Sequence, residues 1–142
     1  MFETGTFQAD YKMQIVAFDY GTKKIGVAVG QTETYTSSPL QIIYNEHDKT
    51  NWNEISILIN EWNPDLILVG KPMNMDGTES DIMKRVDNFF KKLEKVSNIE
   101  CKYIDERLTT FEAKEILGES KVAEVDAHAA KILIDNWFER RR

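Results

Sequence analysis

The 142-residue chain carries 18 Lys and Arg against 24 Asp and Glu, a formal net charge of −6, with 42% apolar residues, 11% aromatic, seven Gly and three Pro. That length and composition fit one packed domain and exclude disorder over most of the chain. The acidic balance excludes a function that rests on bulk attraction to nucleic acid or to an anionic membrane, so any polyanionic partner must be met by local positive charge.

Residues 1–13 show no clear period and are expected to form an extension before a domain over 14–142, with Met13 a candidate start. From Gln14, the run Ile-Val-Ala-Phe-Asp19 and the run Ile25 to Gly30 are separated by a short turn containing Gly21, which predicts a β-hairpin. A third strand is expected across Thr34 to Tyr44; Pro39 interrupts it and suits a sheet edge better than a centre. Trp52, Ile55, Leu58 or Ile59, and Trp62 recur at helical spacing, and Asn63-Pro64 ends that helix. Leu66 to Val69 is apolar on both faces, as a strand covered by helices on both sides should be, and is expected at the sheet centre.

After the loop Gly70 to Gly77, apolar positions Ile82, Val86, Phe89, Phe90 and Leu93 predict a second helix, with Thr78 and Asp81 as its capping box. Ile99 to Ile104 alternates as a strand and closes at Asp105-Glu106. A helix is expected from Thr109-Thr110, with Glu112 as the N3 partner of Thr109. The final helix places Val125, Ala129, Ile132, Leu133 and Trp137 on one stripe. The order predicts a mixed α/β sheet, an antiparallel hairpin on one side and parallel crossovers on the other.

Cys101 is the single cysteine, which rules out an internal disulfide and gives no metal signature; a reducing, cytoplasmic setting follows as the expectation. The first residues lack the basic and apolar regions of a signal peptide, and uninterrupted apolar runs such as Ile15 to Phe18 are too short to span a bilayer.

Three acids stand where chemistry could use them. Asp19 ends the first strand, Glu106 ends the last strand, and Asp126 lies in the first turn of the final helix. Sites in α/β sheets collect at the carboxyl ends of parallel strands. If the first and last strands run parallel near Leu66 to Val69, Asp19 and Glu106 share one edge, and the small residues Ala127, Ala129 and Ala130 let the final helix bring in Asp126. Three carboxylates without a base between them repel one another unless a cation joins them, and hard oxygen donors favour Mg²⁺ or Mn²⁺ over zinc. Each acid also has a plainer reading. Asp19 can cap the hairpin turn, Glu106 can pair with Arg107 or Lys102, and Asp126 can complement a helix N-terminus. His128, two residues from Asp126, points elsewhere on the helix.

Four segments in order resemble the YqgF family, also called RuvX, of the ribonuclease-H-like superfamily. They are Phe18 to Gly30, Val69 to Glu79, Asp105 to Thr110 and Val125 to Ala130, and the resemblance spans nearly everything from Gln14 to Phe138. It implies a single ribonuclease-H-like domain with a mixed five-stranded sheet and helices on both faces. It also implies a nuclease that processes the 5′ end of precursor 16S ribosomal RNA, with a Holliday-junction resolvase acting on branched DNA as the alternative. Asp19, Glu106 and Asp126 match the family's acidic triad, and two divalent ions, Mg²⁺ or Mn²⁺, about 4 Å apart would suit that chemistry. A non-catalytic RNA- or protein-binding module of the same fold is a further reading. Asp19-x-Gly21-Thr22 followed by Gly26 also resembles the phosphate loop of actin-like sugar and acetate kinases, which need two such domains where this chain has room for one.

One stretch departs from the family pattern: Leu117 to Glu124 holds two acids and one base where many relatives are basic. The implied substrate grip is therefore weak and salt-sensitive, with ribosomal particles as expected partners. Candidate phosphate contacts beside the acids are Lys23, Lys24, Lys71 and Arg107. The helix Ile82 to Val96 carries five bases against Asp87 and Glu94, leaving −9 for the rest of the chain; the usual meaning of such charges is a solvated face. Trimming RNA suits a monomer, whereas symmetric junction cutting suits a homodimer.

Overall fold

A computed structural model describes residues 12–72, 76–77, 81–105 and 122–141. The expected hairpin forms from β1 (Gln14–Asp19) and β2 (Lys24–Gln31), paired antiparallel from Gln14 opposite Gln31 to Asp19 opposite Gly26. β3 (Thr36–Tyr44) runs antiparallel to β2 on the outer edge. Pro39, which has no N–H for a ladder, sits on that edge where the register slips between Val27 and Ala28.

The crossovers follow. Helix α1 (Trp52–Trp62) starts at Asn51, whose side chain accepts a bond from the Glu54 N–H at 3.1 Å, and stops at left-handed Asn63. β4 (Leu66–Lys71) lies parallel to β1, helix α2 (Met83–Ser97) follows, and β5 (Cys101–Asp105) lies parallel to β4. Helix α3 (Val122–Glu139) completes the chain. The sheet order is β3-β2-β1-β4-β5, so the mixed five-stranded sheet expected from the sequence is the one observed.

Alternation along the strands makes two cores. Val16, Phe18, Ile67, Val69 and Cys101 face α1 and α2, which contribute Ile55, Leu58, Val86, Phe89 and Leu93. Ile15, Ala17, Ala28, Leu66, Leu68 and Ile104 face α3, which contributes Ala130, Leu133, Ile134, Trp137 and Phe138. Burying side chains of the size of Phe18 or Leu133 stabilises by about 1.5–3 kcal/mol each.

Three expectations change. The sheet centre is β1, and Leu66 to Val69 belongs to the next strand, between β1 and β5. It is buried on both faces all the same, because helices cover both sides of the sheet. The N-cap of α2 is Ile82 with no side-chain bond, and Asp81 precedes it; Thr78, the other half of the expected capping box, lies outside the described residues. The helix begins at Met83, the first of its residues to join the core. Asp126 is not in the first turn of α3, which begins at Val122. The helix expected from Thr109-Thr110, with Glu112, lies outside the described residues, as does residue 1–11 of the expected extension. No helix among the described residues is long and apolar enough to cross a membrane.

Candidate active site

The parallel strands β1, β4 and β5 end together. Phe18 lies beside Val69, Val69 beside Tyr103, and Lys71 beside Asp105. Asp19, half-buried, is therefore at the carboxyl edge of the central strand, the position at which α/β sheets present their sites. By alternation it belongs with Ile15 and Ala17, the residues that face α3.

Helix α3 runs antiparallel to β1. Its Phe138 packs edge-on against Tyr35 beyond the end of β2, at 5.4 Å between ring centroids, and its Ile134 lies against Gly30, the partner of Ile15. The Ser37 hydroxyl donates to the Asp135 carboxylate, which Lys131 also contacts at 2.8 Å, tying the helix to β3. From Ile134 back to Asp126 the helix rises about 12 Å, and from Ile15 to Asp19 the strand rises about 13 Å. The α3 backbone at Asp126 thus arrives near the level of Asp19, through the buried alanines 127, 129 and 130. Lying at least one turn inside the helix, Asp126 gains little from the terminal dipole, which fades within the first turn. Glu106 and Arg107 lie outside the described residues, as does the side chain of Asp126.

The loop that follows Asp19 is held from a distance. Asn45, at the end of β3, donates from its amide nitrogen to the carbonyl oxygens of Gly21 at 3.1 Å and Thr22 at 2.9 Å, and its backbone N–H donates to the Lys23 carbonyl at 2.9 Å. Gly21 is needed here: a Cβ would stand 2.6 Å from the Lys24 carbonyl oxygen. The sequence reading missed Asn45, because no local pattern links it to a turn more than twenty residues earlier.

Of the candidate phosphate contacts, Lys23 is exposed and Lys24 half-buried beside Asp19 in the chain. Lys71 alternates with Ile67 and Val69 and so lies on the α2 side, its Nζ 5.8 Å from the centre of the Tyr103 ring. The structure thereby separates Lys71 from the sheet face that carries Asp19. On the same side Tyr103 donates to Asp87 at 2.8 Å and stacks on Phe90, and this hydrogen bond, chiefly, holds the Asp87 carboxyl below its usual range. Burial pushes the Cys101 thiol up to about 12, which removes it as a nucleophile or soft ligand.

Among the described residues no group of three or more His, Cys, Asp and Glu is gathered as a metal site. Asp19 is the one expected donor whose side chain is described. Its hard carboxylate at a strand end, with the soft thiol of Cys101 buried in the opposite core, fits a hard divalent cation.

Comparison with known proteins bears on the family and the fold. Residues 13–140 match the RuvX family, described as "Holliday junction resolvase". A "Putative pre-16S rRNA nuclease" of Shewanella denitrificans is 44% identical over 133 residues, covering 89% of this chain and 94% of the relative. One of Buchnera aphidicola, described in the same words, is 43% identical over 132 residues, covering 89% and 96%. Among solved structures, Thermus thermophilus RuvC superposes with a TM-score of 0.56 at 10% identity, covering 91% of this chain and 96% of that one. The fowlpox virus resolvase bound to Holliday junction DNA gives 0.52 at 18% identity, covering 91% and 98%. The fold is that of the ribonuclease-H-like resolvases. Sequence, sheet order and fold together place the chain in the RuvX family, also called YqgF.

Proposed function

We propose that the protein is a divalent-metal-dependent endonuclease that hydrolyses phosphodiester bonds and trims the 5′ end of precursor 16S rRNA. The observation that supports this reading is the seating of α3: Ile134 packs against Gly30, the partner of Ile15 in β1, while Asp19 stands at the other, carboxyl end of the same strand, toward which the helix leads from Asp126. Asp19, Glu106 and Asp126 are the acids that would hold Mg²⁺ or Mn²⁺. Bound as a pair, such ions would supply an activated water and charge stabilisation for the leaving oxygen. Asp19 contributes a carboxylate fixed at the end of a buried strand, and Asn45 keeps the adjoining turn in place. Lys23, Lys24 and Arg107 are the phosphate contacts nearest the acids in the chain; Lys71 would reach a strand that passes over the α2 side. The names of the relatives favour precursor rRNA as the substrate, and the setting this implies is cytoplasmic, with ribosomal particles as partners.

The acidic stretch Leu117 to Glu124 makes affinity for naked nucleic acid weak and salt-sensitive. The family description and the resolvase fold favour a second reading, cleavage of four-way DNA junctions by a two-fold dimer. The two separate when purified protein and Mn²⁺ are offered a precursor rRNA fragment and a four-way junction in parallel. Cleavage of the RNA near the mature 5′ end is expected. Cleavage of the junction alone would turn the assignment to a resolvase, and cleavage of neither, without Mn²⁺ binding, would leave a binding module.

A further inference from the structure

We propose that the cleft between α1 and α2 is a second nucleic-acid contact, which takes one nucleotide of a single strand continuing past Asp19. The inference rests on the nuclease reading, but its evidence lies on the opposite face of the sheet. The cleft has a volume of about 200 Å³ and is lined by Tyr20, by Thr50 and Trp52 at the start of α1, and by Arg85, Asn88 and Lys92 of α2, over Phe89. That is smaller than the roughly 300–1,000 Å³ of a small-molecule pocket, and suits one unit of a polymer.

Its chemistry is one-sided. In a chain of net charge −6, no carboxylate lines the cleft among the described residues. Neither Arg85 nor Lys92 has an ion-pair partner among the described residues, whereas Lys91 on the same helix is paired with Asp87 at 3.5 Å. Arg85 makes one long bond, 3.4 Å, to the Asp48 carbonyl oxygen, and Lys92 lies over the indole of Trp52 at 5.1 Å. The aromatic floor is already assembled: Trp52 stacks on Phe89 at 5.3 Å, and Tyr20 leans on the same ring at 4.9 Å. Two cations for a phosphate, a flat ring for a base, and hydroxyl and amide groups between them are the components of a single-strand stacking site. Arg85, Asn88 and Lys92 are exposed like Lys84 and Lys95, but they border an aromatic hollow that Lys84 and Lys95 do not line.

The position links the cleft to the candidate active site. Tyr20 follows Asp19 directly, and the two adjacent residues serve opposite sides of the sheet: Asp19 alternates with the residues facing α3, while Tyr20 packs with the α1–α2 core. A strand crossing the carboxyl edge at Asp19 therefore meets this cleft within one residue of protein chain.

The test is binding without catalysis: fluorescence anisotropy of a short single-stranded RNA, in EDTA, on the Asp19→Asn chain. Arg85→Gln/Lys92→Gln is expected to weaken binding about ten-fold and to lower the slope of log K against log salt by about 1.4, the value for two phosphate contacts on a single strand. Trp52→Leu is expected to weaken binding with the slope unchanged, because stacking releases no counterions. Lys84→Gln/Lys95→Gln, on the same helix outside the cleft, serves as the charge control. Unchanged affinity and slope in Arg85→Gln/Lys92→Gln, or an equal loss in the control, would overturn the proposal. Neither result depends on cleavage, so failure here is distinct from failure of the nuclease reading.

Discussion

Ile134 of α3 rests on Gly30 of β2 so closely that a Cβ at position 30 would stand 2.8 Å from its Cγ2 and 2.9 Å from the Thr36 carbonyl oxygen. Gly30→Ala must therefore push α3 away or bend β3, at a cost of about 1–3 kcal/mol in urea unfolding. Because the proposed acid triad depends on the same contact to seat Asp126 on α3, cleavage is expected to fall by up to about 10²-fold, the effect of misplacing a catalytic group by about 1 Å. Wild-type stability and rate in Gly30→Ala would show that α3 is not seated this way.

Asn45 braces the turn after Asp19 through two carbonyl oxygens. Asn45→Ala leaves both oxygens short of a donor and is expected to cost about 1–3 kcal/mol. Asn45→Asp keeps the volume but turns a carboxylate toward the two carbonyls, so it should be no more stable than Asn45→Ala. Denaturant titration of the three proteins checks the order.

The Tyr103–Asp87 bond gives a pH signature. Asp87 titrates below its ordinary value of 3.8 in the folded protein, so the stability it contributes is present above that value and is lost as pH falls through the lower folded value. Tyr103→Phe removes the main cause. The stability gap between wild type and Tyr103→Phe is expected at neutral pH and should narrow as the carboxyl protonates in acid. A gap independent of pH would assign the effect to ring packing alone.

Cys101 is buried, and its thiol is pushed up to about 12. At pH 8 a thiol reagent should label it slowly in the native protein and rapidly in denaturant. Fast labelling of folded protein would contradict the burial of β5 against α2.

Much of the fold is legible in the sequence because its signals are local. The hairpin turn at Gly21, the edge position of Pro39, the Asn63-Pro64 stop and the helical spacing of Val86, Phe89 and Leu93 all appear in the structure at the expected places. Strand order is not local: Leu66 to Val69 and Ile15 to Phe18 are equally apolar, and only pairing with β2 makes β1 the centre. Thr78 and Asp81 have capping-box spacing, yet α2 starts beyond Asp81, at Met83, the first of its buried residues. At the candidate site, Asp19 is legible from its place after an apolar run. Asn45 and the Trp52–Lys92 pair are not, since each joins elements that only the folded sheet brings together.

The central claim is that Asp19 belongs to a metal-dependent phosphodiesterase site, and the measurement that tests it most directly is Mn²⁺-dependent cleavage of a precursor 16S rRNA fragment by Asp19→Asn. The account predicts that cleavage falls to the level without metal while the unfolding midpoint stays close to that of the wild type. Undiminished cleavage by a stringently purified Asp19→Asn protein would contradict it.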